Sequence, residues 1–151
     1  METTALAESL QQATTRTFEL LAFLCAAEPS APPADAEVTG ASIGFSGPRV
    51  GYLRLRVPQR LVATIAANML GLDEAETTAD QQRDALGETL NVICGNLLPL
   101  LEGARAVFRV LAPQVPAVPE AVGLPASATA RVAFDEGWAE VTLHLSAQEA
   151  A

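Results

Sequence analysis

The apolar residues of this chain change their period three times, and those changes limit the fold more than any other feature. Between Thr4 and Cys25, Leu6, Leu10, Ala13, Thr17, Leu20 and Leu24 recur at alternating steps of four and three, one stripe of a 3.6-residue helix. From Ala41 the period drops to two. Ala41, Ile43 and Phe45 alternate with Ser42, Gly44 and Ser46, and Leu53, Leu55 and Val57 alternate with Tyr52, Arg54 and Arg56. Such alternation buries one face of a strand and leaves the other wet. Ser46-Gly47-Pro48-Arg49 between the two runs reads as the turn of an antiparallel hairpin. The helical period returns with Leu61, Val62, Ile65, Met69 and Leu70. Pro58 suits its first turn and Gly71 its C-terminal stop. Thr78 with Gln81 three residues on has the pattern of a capping box, opening a third helix toward Pro99 or Glu102, where the proline should kink or end it. Period two then resumes over Val107–Leu111, Ala130–Phe134 and Trp138–Leu145. Loops are expected at 28–36 and 113–125, both rich in proline. The order α-β-β-α-α-β-β-β predicts an α+β fold with helices on one face of a mostly antiparallel sheet.

Length and composition narrow the functions open to such a fold. A chain of 151 residues is about one domain's worth, expected to span 1–151 as a single unit. Half of it is apolar, which rules out disorder for most of its length. The nine basic residues are all arginine, and 18 acidic residues bring the net charge to −9. Without lysine the chain cannot itself perform Walker-type phosphate binding, Schiff-base chemistry or Ser-Lys catalysis. Its negative charge and seven aromatic residues argue against nucleic-acid binding. Cys25 and Cys94 stand alone in apolar helical stretches and read as small buried side chains. His144, the one histidine, falls on the outward set of the last strand with Trp138 and reads as surface. No cysteine or histidine grouping fits a zinc site, and no metal or cofactor of its own is expected. The first residues have neither a basic nor an apolar signal region, and no apolar run reaches the ~18 residues of a membrane span. A reduced, cytoplasmic setting without membrane contact is the expectation.

The third helix carries the chemistry. At 100° per residue, Asp84, Glu88, Asn91 and Gly95 fall within about 60° of one another, while Leu86, Leu90, Ile93, Leu97 and Leu101 cluster on the other side. A polar outer face is ordinary in an amphipathic helix. Less ordinary is a helix with Gly87, Asn91 and Gly95 in nine positions. Each glycine costs about 1 kcal/mol relative to alanine, and asparagine competes for backbone hydrogen bonds. Close packing or function should be compensating. Gly95 removes a side chain that would hold another protein's backbone away. Asn68 faces this helix only if the second and third helices pack antiparallel. The segment from Asp73 to Glu102 holds seven acidic residues and one arginine, a net −6.

Glu88-x-x-Asn91 followed by Val-Ile-Cys-Gly95-Asn96 resembles the signature helix of the CheC/CheX/FliY phosphatases. Leu61 to Gly71, ending in Met-Leu-Gly, is similar to the family's preceding helix. Asp84 matches the position four before the glutamate, and Pro113 matches a proline some two dozen residues downstream. The element order fits as well, so the resemblance spans nearly the whole chain. Longer members carry two such helices. Here the first helix offers only Glu8-x-x-Gln11, which points to the single-motif, CheX-like kind.

The resemblance implies a phosphatase acting on the phospho-aspartate of a CheY-like response-regulator receiver domain. Asn91 would orient the attacking water, since an amide offers both an acceptor and donors. Glu88 would pair with a receiver lysine, with Asp84 and Gly95 in support. The receiver would bring the lysine, the magnesium and the acyl phosphate, so the absence of lysine here is no obstacle. It would also have to offset the acidic surround. A non-catalytic receiver-binding or signalling adaptor of the same fold is the alternative. A homodimer is also compatible, with the last strand as a candidate edge for pairing two copies.

Overall fold

The computed structural model describes residues 3–28, 37–118 and 124–146. The elements run α1 (Thr3–Leu21), β1 (Val38–Ser46), β2 (Gly51–Pro58), α2 (Gln59–Leu70), α3 (Ala79–Glu102), β3 (Arg109–Val110), β4 (Ala128–Ala133) and β5 (Trp138–Leu145), with a short 3₁₀ turn at Glu74–Glu76. The α+β architecture and element order agree with the hydrophobic periods. The expected loop at 28–36 lies, from residue 29 on, outside the described residues, as do residues 119–123 of the second.

The strands form one antiparallel sheet in the order β3-β1-β2-β5-β4. The hairpin pairs Ala41 with Leu55 and Ile43 with Leu53. Its inward residues join Val141 and Leu143 of β5 and Ala130 and Val132 of β4 in one core with Leu10, Phe18, Leu61, Ile65, Leu86, Leu90, Ile93 and Leu97 of the helices. Gly71 ends α2 at φ 68°, a left-handed conformation that glycine adopts without steric cost, and its N–H bonds the Ala67 carbonyl. The Thr78–Gln81 capping box forms in both directions, at 3.0 and 3.1 Å. Helix α3 passes through Pro99 for three more residues and stops at Gly103. Proline removes one donor there, in the last turn, where the cost is small.

Four expectations need correcting. The last strand is not an edge: β5 is hydrogen-bonded on one side to β2 and on the other to β4. On that side the edge is β4, and it is closed in part. The Gln11 amide exchanges hydrogen bonds with both backbone groups of Arg131, and Ala27 donates to the Ala133 carbonyl. His144 is buried rather than surface. Its ring stacks on Tyr52 with centroids 4.4 Å apart, and Nδ1 lies 3.0 Å from the Leu124 carbonyl. The outer face of the sheet is therefore not uniformly wet. After β3 the chain continues along the edge of β1, pairing Gln114 with Ser42 and bonding Ala117 to Gly40, and the Val118 N–H then donates to Ser42 Oγ, so that Ser42 is buried too. The C-terminal half of the third helix's partner also differs: α1 ends at Leu21 instead of near Cys25. The Phe18 carbonyl accepts from both Ala22 and Leu24, and Phe23 between them takes φ 56°. That turn buries Leu24 and leaves Cys25 exposed, whereas Cys94 is buried as expected.

Candidate functional site

Helix α3 is held against its neighbours by polar side chains that all find partners. Thr89 donates to the Ala85 carbonyl (2.8 Å) and lies 3.8 Å from the Met69 sulfur of α2. Asn96 donates to Thr17 Oγ1 of α1 (3.0 Å). Gln82 donates to Thr77 (3.0 Å). Asn68 does not reach the motif helix; its amide donates to the Ala22 carbonyl and ties the end of α1 to α2 (2.8 Å). Each of these groups sits where its hydrogen bond joins two elements or closes a turn.

Asp84, Glu88, Asn91 and Gly95 contrast with them. All four are exposed and form one ridge along α3, as the helical spacing predicts. None of the three side chains has a hydrogen-bond or ion-pair partner among the described residues. Several carboxylates of the acidic segment around them are engaged, two by hydrogen bonds from neutral donors and two in ion pairs. Glu74 accepts from Thr64, Glu76 from the Asp73 N–H, Asp80 pairs with Arg83 and Glu102 with Arg49. Asp84 and Glu88 have neither kind of partner among the described residues, so the ridge carries two unpaired carboxylates beside the uncompensated charges of Asp73, Glu74 and Glu76.

The two helix glycines separate into different roles. A Cβ at Gly87 would lie 3.3 Å from Pro113 Cγ and 3.4 Å from Val115 Cγ2, so this glycine admits the loop after β3 against the helix. A Cβ at Gly95 would meet nothing within 4 Å. Nothing among the described residues requires glycine at that position. Pro113 and Val115, with Arg83, Asp84, Gly87 and Glu88, line an open depression of about 350 Å³ beside the ridge. The structure thus brings Pro113, matched in sequence only at a distance, next to Glu88. Asn91 and Gly95 lie further along the ridge, outside this depression.

Arg83 and Val115 were not singled out by sequence. The signal was present in part: Gly87 in mid-helix marked a close approach without naming the segment that approaches. Gln11, the residue of the first helix aligned with the amide position, is engaged at the β4 edge and unavailable for chemistry. Cys94, beside the motif, is fully buried, and that burial pushes its thiol pKa up to about 12. It is an inert apolar side chain. Among the described residues, no group of three His, Cys, Asp or Glu side chains could hold a metal, and no helix is long and apolar enough to cross a membrane. What the ridge offers is a carboxylate and an amide one turn apart, presented to a partner surface.

The sequence matches the family described as Chemotaxis phosphatase CheX over residues 39–121. No curated protein matches it. Among solved structures it is similar to the chemotaxis protein CheX from Vibrio vulnificus, with 18% identity, a TM-score of 0.70 and coverage of 93% of this chain and 96% of that one. A CheC-like superfamily protein from Shewanella sp. PV-4 has 17% identity, a TM-score of 0.70 and coverage of 97% and 99%. The CheX–CheY–BeF3–Mg complex from Borrelia burgdorferi matches with 14% identity, a TM-score of 0.65 and coverage of 91% and 96%. At such identities the likeness is one of fold.

Proposed function

This chain belongs to the CheX family of chemotaxis phosphatases, and from that premise we propose that it hydrolyses the phospho-aspartate of a CheY-like receiver domain through the ridge of α3. The observation that carries the reading is the pair Glu88 and Asn91, exposed and unengaged on a helix whose neighbouring polar groups are satisfied internally. The Borrelia burgdorferi neighbour is a CheX bound to CheY, which supports a receiver as partner.

An acyl phosphate is already activated, so its hydrolysis needs chiefly a water placed in line with the scissile bond. The Asn91 carbonyl oxygen accepts a hydrogen bond from that water and orients its lone pair toward phosphorus. The new P–O bond forms as the P–O bond to the aspartate breaks, releasing inorganic phosphate and a free carboxylate on the receiver. Glu88 pairs with a receiver lysine and fixes the helix in register. The receiver supplies the lysine and magnesium, so the chain acts as half of a site that another protein completes. Asp84, one turn before Glu88, adds to the same negative field. Gly95 lets the receiver backbone approach the helix.

The test is phosphate release from phosphorylated receiver domains with and without the protein. Wild type should accelerate release, and Asn91→Ala should abolish the acceleration while keeping the fold. An unchanged rate in that variant would sink the mechanism. Binding without acceleration by wild type would favour the adaptor reading.

A further inference from the structure

Beside the polar ridge lies an apolar surface that neither the core nor the proposed chemistry uses. Leu20 is 62% exposed, Phe23 67% and Leu70 49%. Leu20 belongs to the apolar stripe of α1, yet nothing among the described residues covers it. Three hydrogen bonds fix where these residues sit. Thr17 is tied to Asn96 of α3, Ala22 to Asn68 of α2, and Met69 of α2 meets Thr89 of α3. Following α1 from Thr17 to Ala22 therefore moves along α3 from the level of Asn96 back toward that of Thr89. Leu20 lies between those levels, one turn from Thr17, alongside the stretch of α3 that presents Asn91 and Gly95. Phe23 follows at the end of α1, next to the Asn68 contact, and Leu70 closes α2 two residues beyond Asn68.

Phe23 is costly on two counts. It is a bulky side chain held at φ 56°, in the left-handed region, and its ring is turned into water. Glycine would serve the same turn without strain, as it does at Gly71. A residue kept in that conformation with its side chain unburied is placed for contact outside the chain.

We infer that Leu20, Phe23 and Leu70 form an apolar shoulder on which the receiver domain docks, beside the Glu88–Asn91 ridge that acts on its phospho-aspartate. This rests on the function proposed above and adds the surface that gives affinity. By these ties Leu20 lies at the level of the ridge on the helix next to α3, so a receiver seated over Asn91 and Gly95 is within reach of it. A second copy of this chain fits less well, because a two-fold contact over this face would bring two copies of the same negatively charged ridge into one interface. The occupant is therefore a receiver with an apolar side chain next to its lysine and phospho-aspartate. Exposed aromatic anchors beside polar groups are the usual carriers of docking energy.

The experiment uses the full chain and the chemotaxis receivers encoded in the same genome, phosphorylated with acetyl phosphate. In Phe23→Gly the melting temperature should be equal to or above that of wild type, since glycine relieves the backbone. The KM for phosphorylated receiver should rise about tenfold or more, with the loss in KM rather than kcat. Leu20→Ser should raise KM in the same direction. Asn91→Ala should show the opposite split, losing kcat with KM retained. If wild type is active and both shoulder variants keep KM within twofold, the docking proposal is overturned while the function stands. If wild type accelerates release from no receiver, the function fails and the docking proposal fails with it. Sedimentation showing a dimer that Phe23→Gly dissolves, with KM unchanged, would assign the shoulder to self-association and overturn the proposal.

Discussion

Gly95→Ala should make the protein more stable and less active. Gly95 is exposed inside a helix of 24 residues, and an added Cβ would meet nothing within 4 Å. Alanine gains about 1 kcal/mol there, from better helix propensity and a less flexible unfolded chain. For a chain of this size that corresponds to about 2–4 °C in Tm. Gly87→Ala is the internal control. It carries the same propensity gain, but its Cβ would press on Pro113 and Val115 at 3.3 and 3.4 Å. It should therefore be less stabilising than Gly95→Ala, or destabilising if the loop cannot yield. Thermal unfolding followed by circular dichroism ranks the two. Phosphate release from a phosphorylated receiver supplies the second readout: Gly95→Ala should slow it and Gly95→Leu should nearly stop it, because a side chain there holds the receiver off Asn91. A Gly95→Ala protein that melts lower than wild type would refute the packing argument. One that melts higher and dephosphorylates at the wild-type rate would refute the idea that this glycine serves close approach.

Two further outcomes follow from side chains away from the ridge. Glu140 bridges Arg56 at 3.0 Å and Arg131 at 2.7 Å across three strands. Burial raises its pKa, but the hydrogen bonds and charges of the two arginines outweigh that and hold the carboxyl below its ordinary value. A depressed carboxylate stabilises the fold above its unfolded pKa and loses that contribution as pH falls through the folded one. Glu140→Ala should then cost about 1 kcal/mol at pH 7, both arginines being well exposed, and its gap to wild type in urea melts should narrow as the pH is lowered to 3; an equal gap at both pH values would contradict this. With a thiol reagent at pH 8, exposed Cys25 should react at once and buried Cys94, its pKa pushed to about 12, only on unfolding. Two fast thiols in the folded protein would contradict the burial of α3.

Much of the fold was legible in the chain because local patterns report local geometry. The step of four and three places Leu86, Leu90, Ile93 and Leu97 on one side of α3 and Asp84, Glu88, Asn91 and Gly95 on the other, whatever surrounds the helix. The Thr78–Gln81 box and the Gly71 stop are equally local, since donor and acceptor lie within a few residues. Leu20 shows where such reading stops. Its spacing assigns it to the core stripe, yet it is exposed, while Leu24, the next member, is buried only because the chain turns at Phe23.

His144 and Ser42 fail for the same reason on the sheet. Alternation identifies their face, and only the later path of the chain over that face buries them. Phe23 ended α1 early through a left-handed turn that no apolar period announces. The exchange of Gln11 with Arg131 spans 120 residues, and the approach of Pro113 to Gly87 crosses from a loop to a helix. Helical pitch and strand pleat were enough to say which side of each element is apolar and which residues share the ridge, because both are set by the backbone over a few residues. Which segment covers that side, which strand becomes central and which glycine is open to a partner depend on the packing of residues far apart in the chain, and those were settled only when the elements came together.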